Sequence, residues 1–217
     1  MTLIHYQIPK QNYLVNGQFN MKSNLDFFFK NYIQKKACTL LGIGPMSKNC
    51  VDASIELANE KNIPIMLIAS RRQIDSEDFG GGYVNNWGTS EFSKYVRMKD
   101  KKKLIYLARD HGGPWQSNVE CEQNMDLFQA MKSCKLSYQN DINSGFDILH
   151  IDPSIDIHTN PKIDDILDRA YELYEFCSEY ALKKNKEIIF EIGTEEQSES
   201  TESLEVLEYT LEKLFSF

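Results

Sequence analysis

Several common signatures are missing from this chain. Its five cysteines (Cys38, Cys50, Cys121, Cys134 and Cys177) are scattered, odd in number and form no CxxC pair. That excludes a disulfide framework or a zinc ribbon and fits the reduced thiols of a cytoplasmic protein. No stretch approaches the roughly 20 apolar residues of a bilayer span, and Met1–Lys10 lacks both a long apolar core and a charged leader. Basic residues are outnumbered, 24 Lys and Arg against 32 Asp and Glu, for a net charge of -8. Nucleic-acid and membrane-surface partners need clustered positive charge and are excluded on that ground. The one dense basic run, Lys99–Lys103, precedes an apolar stretch and reads as a solvated helix end. Gly42-Ile43-Gly44-Pro45 lacks the third glycine of a dinucleotide fingerprint, and no phosphate-binding P-loop is present.

What the chain does have is a repeating order. Cys38–Ile43, Pro64–Ala69, Lys103–Ala108, Ile148–Ile151 and Glu187–Ile192 are short, continuously apolar and rich in β-branched or aromatic residues. Strands buried on both faces of a parallel sheet read this way. Helical spacing fills the gaps. Lys48–Lys61 follows a Ser47 cap and aligns Val51, Ile55 and Ala58. Ser90–Asp100 follows Thr89 and carries Phe92, Tyr95 and Val96. Val119–Ser133 carries Met125, Phe128 and Met131. Pro161–Asn185 aligns Ile166, Leu167, Ala170, Leu173, Tyr174 and Cys177, with Pro161 suited to its first turn. Thr201–Phe217 places Leu204, Leu207, Leu211 and Leu214 on one stripe, and Met1–Lys36 reads as an entry arm plus a helix over Leu25–Lys35.

Five βα units in strict alternation predict an α/β fold with parallel strands and right-handed crossovers. Two architectures satisfy it: a (β/α) barrel of the TIM type, incomplete because eight units need about 250 residues, or an open doubly wound sheet. No low-complexity linker interrupts the 217 residues, so a single domain, the N-terminal portion of a fuller barrel, is the simplest count. A five-strand arc leaves the outer edges of its first and last strands unpaired and its lumen side partly wet.

In either architecture the loops after the strand C-termini form the ligand face. Asp110-His111 leaves the third strand into Gly112-Gly113-Pro114. Such a pair can divide labour, the imidazole holding a divalent metal while the carboxylate moves a proton. A hydrogen-bonded loop pair is the plainer alternative, and the glycines would let the backbone approach a ligand. His150 and Asp152 lie two apart on the fourth strand and share a face; a satisfied buried polar pair competes with a substrate-facing one. Glu191, Gly193 and Glu195 share parity on the fifth, where a carboxylate needs a cation or a hydrogen bond to be buried. Arg71 and Arg72 offer an anion clamp or a salt bridge. Gly80–Gly82 with Tyr83 offers a substrate loop or ordinary loop material.

Taken together, these strand ends resemble the tagatose-bisphosphate aldolase GatZ/KbaZ family. Gly42-Ile43-Gly44-Pro45 and Ser70 through Gln73-Ile74, then Gly81-Gly82-Tyr83, look like its first two strand ends. Asp110-His111 with Gly113-Pro114 resembles its Asp-His-x-Gly-Pro. His150-Ile151-Asp152-Pro153-Ser154 is similar to its His-x-Asp-x-Ser strand, and Ile192-Gly193-Thr194-Glu195 to its Ile-Gly-Thr-Glu. The resemblance implies a TIM-barrel protein of ketose-phosphate metabolism, distantly similar to the metal-dependent class II aldolases. It implies Asp110 and Asp152 as catalytic groups, with Ser70, Arg71, Gln73, Tyr83 and His150 contacting a sugar phosphate. His111 and Glu195 become ligands of a divalent metal (Zn²⁺, Mn²⁺ or Mg²⁺), Glu195 standing near where class II aldolases place a histidine. Two function classes follow. One is a metal-dependent aldolase or epimerase. The other is a non-catalytic subunit that stabilises a separate aldolase chain, or a homo-oligomer.

Overall fold

The structure is a computed structural model in which residues 3–5, 39–193 and 204–215 are described. In chain order the elements are β1 (Leu3–His5), β2 (Leu41–Ile43), α1 (Lys48–Lys61), β3 (Ile65–Ser70), a 3₁₀ turn (Glu77–Phe79), α2 (Thr89–Lys99), β4 (Ile105–Gly112), α3 (Asn118–Glu122), α4 (Leu127–Ser144), β5 (Ile148–Ile151), α5 (Ile163–Lys183), β6 (Ile189–Ile192) and α6 (Leu204–Leu214).

Local chemistry sets the boundaries. Ser47 caps α1 by accepting from the Cys50 amide, and Asn62 ends the helix in the left-handed conformation. At α2 the cap moves to Gly88, whose amide donates to Glu91. The single helix expected over Val119–Ser133 is two. Asn124 takes a positive φ, and Asp126 restarts the chain as a capping box, accepting from the Gln129 amide at 2.8 Å. That break rotates the stripe. Met131 is buried, but Phe128 is 79% exposed.

The sheet runs β1-β6-β5-β4-β3-β2. All neighbours from β2 to β6 are parallel. Consecutive strands are therefore consecutive in space, without the reversal that a doubly wound sheet requires. The helices form one outer layer, with α1 against α2, α2 against α4, α4 against α5 and α5 against α6. Val51, Ile55, Leu67, Ile105, Leu149, Leu173 and Phe190 belong to the core between that layer and the sheet. The opposite face, the barrel's inner side, gathers Tyr106, Ala108, Ile148 and Ile189 with Leu40, Met66 and Ile68. The fold is an arc of a (β/α) barrel that does not close.

One edge differs from expectation. Residues 3–5 add an antiparallel strand beside β6, pairing Leu3 with Ile192 and His5 with Phe190. The last parallel edge is thus covered, as mixed sheets often cover theirs. The outer edge of β2 has no strand partner among the described residues. The inner face is partly wet, as expected: Tyr106, Ala108, Ile148 and Ile189 are buried, whereas Leu40, Met66 and Ile68 are only partly so. The expected helix over Leu25–Lys35, Cys38 and Glu195 lie outside the described residues. Among the described residues, no helix is long and apolar enough to cross a membrane.

Candidate active site at the end of the third parallel strand

Up to Asp110, β4 sends consecutive side chains to opposite faces of the sheet, as a regular strand does. Arg109 points to the helix side and is 1% exposed. It grips Asp141 on α4 with two bonds, at 2.8 and 2.6 Å, and donates to the Ala69 and Ile74 carbonyls. Arg71 lies nearby. Its Nε meets Asp75 at 3.1 Å, and its Nη1 meets Glu120 at 2.7 Å and the Gly113 carbonyl at 3.0 Å. The anion-clamp reading of Arg71 gives way here. The guanidinium is fully buried and its charge is already balanced by two carboxylates, so it braces the loop from beneath.

Asp110 opens the other side. A bulge interrupts the β4–β5 register between Arg109 and Gly112, and His111 sits there at φ +42. A non-glycine residue in that region stores strain, and such strain gathers at functional sites. Asp110 and His111 thus belong to the strand itself, not to the loop after it. Their side chains stay about one-third exposed, with His111 Nε2 at 3.7 Å from the Asp110 carboxylate.

Two residues of β5 and the turn after it fix His111. Asp152, 1% exposed, lies 2.6 Å from His111 Nδ1. Its other oxygen accepts from the Ser154 amide and hydroxyl, while Gln116 donates to the first at 3.4 Å. Burial pushes this carboxylate up, but the bonds from His111 and Ser154 and the nearby His150 bring it below its ordinary value. An ionised Asp152 accepts the Nδ1 proton of His111, which puts the lone pair of the neutral ring on Nε2. Asp152 was expected to act on substrate directly; its position is one layer behind, as the carboxylate that orients His111. His150 completes the group. Its Nδ1 accepts from the His111 amide at 3.3 Å, and the two rings lie 5.1 Å apart.

The two glycines have a different role from the one expected. A Cβ on Gly113 would stand 2.1 Å from the Asp152 carbonyl, and one on Gly112 would strike the Tyr138 ring. They bring the chain against itself, not against a ligand. Tyr138, on α4, donates to the Gly112 carbonyl and to the His150 carbonyl at 2.9 Å. Burial raises its phenol well above the ordinary value, keeping it a neutral donor. The sequence gives no local sign of Tyr138's role, because its partners are 26 and 12 residues away. Ser154 was legible in the His-x-Asp-x-Ser spacing; Gln116 was not.

Of the remaining expected residues, Ser70 is the register partner of Asp110 and so adjoins it on the inner face. Gln73 accepts from the Ser70 amide at 2.9 Å and donates to Met46 Sδ at 3.1 Å. Tyr83 is exposed, its hydroxyl 3.7 Å from the same sulfur. Ser70 thus links Asp110 to Gln73, and Gln73 and Tyr83 meet at the Met46 sulfur. Glu191 stands opposite His150 in the β5–β6 register.

Asp110, His111 and His150 each offer one ligand atom, all within 4.8 Å of one another. The donor chemistry suits a divalent cation: an imidazole oriented through Nδ1 by its carboxylate partner, with a second carboxylate beside it.

A protein-family model matches residues 27–212 and is described as D-tagatose-1,6-bisphosphate aldolase subunit GatZ/KbaZ-like. The chain belongs to the GatZ/KbaZ-like family. The match takes in all five parallel strands of this GatZ/KbaZ-like chain and the whole candidate site. No curated protein matches the sequence. Among solved structures, a probable tagatose 6 phosphate kinase from Sinorhizobium meliloti 1021 is similar at a TM-score of 0.60 and 19% identity, over 76% of this chain and 41% of that one. It shares the fold, and the present chain spans only that minor part of its length. A fructose-bisphosphate aldolase from Campylobacter jejuni is 15% identical, over 89% of this chain and 65% of the other. A hypothetical protein from Ruminiclostridium thermocellum is 11% identical, over 70% and 96%. Both superpose at a TM-score of 0.45, too loosely to argue from.

Proposed function

We propose that this GatZ/KbaZ-like chain carries the proton-transfer and metal-anchoring part of a class II aldolase-type site for a ketose phosphate. The observation that carries the reading is the fixed imidazole. Asp152 holds His111 Nδ1 at 2.6 Å, while Nε2 faces Asp110 at 3.7 Å. His111 would anchor a divalent cation (Zn²⁺, Mn²⁺ or Mg²⁺), with Glu195, in the stretch after β6, as its further ligand. When bound, such a cation polarises the substrate carbonyl and stabilises the enediolate. Asp110, about one-third exposed beside Ser70, takes up and returns the proton at the reacting carbon or its hydroxyl. Ser70, Gln73 and Tyr83 are placed to meet sugar hydroxyls. The family's description supports a tagatose-bisphosphate-like substrate, and the free thiols of Cys50, Cys121, Cys134 and Cys177 fit a cytoplasmic setting.

A second reading rests on two observations: the matched family is described as a subunit, and the sheet is an unclosed arc. In it the chain stabilises a separate catalytic class II aldolase chain, or a second copy of itself, that supplies the missing wall of the barrel.

One experiment tests both. Metal stoichiometry is measured on the wild type and on His111→Ala, beside aldol cleavage of tagatose 1,6-bisphosphate with and without a catalytic aldolase chain. About one equivalent of metal, lost in the variant, with cleavage by the chain alone, supports the first reading. Equal metal in both proteins sinks it. Cleavage that appears only with the partner, and survives His111→Ala, supports the second.

A further inference from the structure

His150 is a buried imidazole whose hydrogen bonding is half complete. It is 9% exposed, and its Nε2 has no hydrogen-bond partner. Leaving a buried polar group unpaired is costly, and proteins tolerate it mainly where a ligand completes the set.

The ring's other nitrogen fixes what Nε2 can do. The His111 amide donates to His150 Nδ1 at 3.3 Å, so Nδ1 uses its lone pair and carries no hydrogen. In the neutral ring the proton must then sit on Nε2. A protonated nitrogen donates; it has no lone pair for a metal. The two histidines are therefore opposites. Asp152 accepts from His111 and leaves its Nε2 a ligand, whereas a backbone amide donates to His150 and leaves its Nε2 a donor. The two rings lie 5.1 Å apart, in one cluster with the Asp110 carboxylate.

Gly193 packs directly against Nε2, which is itself sealed from solvent. A Cβ on Gly193 would stand 2.3 Å from Nε2. Gly193 directly follows β6, at the end of the sheet where Asp110 and His111 stand.

The geometry points to His150 as the donor that holds a substrate oxygen, a ketose carbonyl or hydroxyl, beside the cation site, and not as a third metal ligand. This rests on the reading of His111 as the metal anchor, but its tests are separable from that reading. A bound oxygen would accept from His150 Nε2, on a ring whose Nδ1 faces the His111 amide and which belongs to one cluster with His111 and Asp110. That arrangement selects oxygen-bearing substrates over deoxy analogues at the same carbon.

The first test needs no metal. Long-range ¹H–¹⁵N correlation spectra of the metal-free protein should show His150 as the Nε2-protonated tautomer and His111 as the Nδ1-protonated one. Finding His150 with its proton on Nδ1 overturns the proposal, whatever the metal content. The second test uses dihydroxyacetone phosphate, the ketose half expected from cleavage of such a bisphosphate, as the probe, with calorimetry on the metal-loaded protein. His150→Phe should keep wild-type metal stoichiometry but bind the probe roughly tenfold more weakly. His150→Gln, which returns an amide donor, should recover much of that loss. Loss of metal in His150→Gln, or unchanged probe binding in a folded His150→Phe, overturns it. Absence of metal from the wild type would instead strike the His111 reading and leave the tautomer result standing.

Discussion

Arg109 and Asp110 are neighbours in sequence and belong to different worlds in space. On the helix side, Arg109 and Arg71 lie in buried ion pairs with Asp141, Asp75 and Glu120, all but sealed from water, although Arg71 Nη2 and Glu120 Oε2 have no hydrogen-bond partner. On the inner side, Asp110 and His111 keep about a third of their surface, and His150 Nε2 lacks a partner altogether. One region has its charges matched within the chain; the other is left incomplete. Buried, paired charges stabilise and position, whereas a partly exposed group of titratable side chains can meet a ligand. The two also touch, since Arg71 donates to the Gly113 carbonyl directly beneath the loop. The closed network is the mount on which the open one sits.

The largest effect expected from this contrast is on stability. Arg109→Met strands a buried Asp141 carboxylate, and removing one partner of such a pair costs about 3–5 kcal/mol. The double variant Arg109→Met/Asp141→Leu should regain most of it. Urea unfolding of the three proteins checks this, and equal midpoints for single variant and wild type would show that the network is not closed.

On the open side the balance should invert. Asp110→Asn is expected to leave the urea midpoint within roughly 0.5 kcal/mol of wild type, as for surface changes. It should reduce turnover of the true substrate by about 10²–10⁴-fold, the usual contribution of a positioned acid or base. A variant that fails to fold would move Asp110 into the structural group.

Asp152 lies between the two regions, and its effects should be the smallest. Asp152→Asn removes the anchor of His111 and should weaken metal binding about 10–100-fold. It also carries a pH signature. The folded carboxylate titrates below its ordinary 3.8, so the folded state binds that proton less readily than the unfolded one. The resulting stability is full above the unfolded value and fades as pH falls through the folded one. Stability measured between pH 2.5 and 6 should therefore drop less steeply in Asp152→Asn than in the wild type. Parallel curves would mean that His111 and Ser154 do not hold the carboxylate ionised.

How much of this was legible beforehand depends on how local each cause is. The strand Ile148–Ile151 and the helix Lys48–Lys61 were read with the bounds the structure gives them, because their apolar period and the Ser47 cap lie within a few residues. The break before Asp126 was missed: its cap competes with a helical pattern that continues across it. Asp110, His111, His150 and Asp152 were all singled out at strand ends, yet the role of Asp152 was read one layer too far forward. Arg71 was placed on the ligand face, when Asp75 and Glu120 had already claimed it.

The sequence by itself determined the alternation of five apolar strands with amphipathic helices, and with it a parallel α/β sheet carrying its chemistry at the strand C-termini. Periodicity and caps act over a few residues, so a regular strand or helix is set by its own neighbours in sequence. Tertiary structure decided the rest. The sequential strand order chose the barrel arc over the doubly wound sheet, and residues 3–5 covered the β6 edge. Two histidines of identical chemistry received opposite tautomers, because one meets a carboxylate 41 residues away and the other a backbone amide 39 residues away. Partners that far apart in sequence are joined only by packing, and no local pattern encodes which of them will meet.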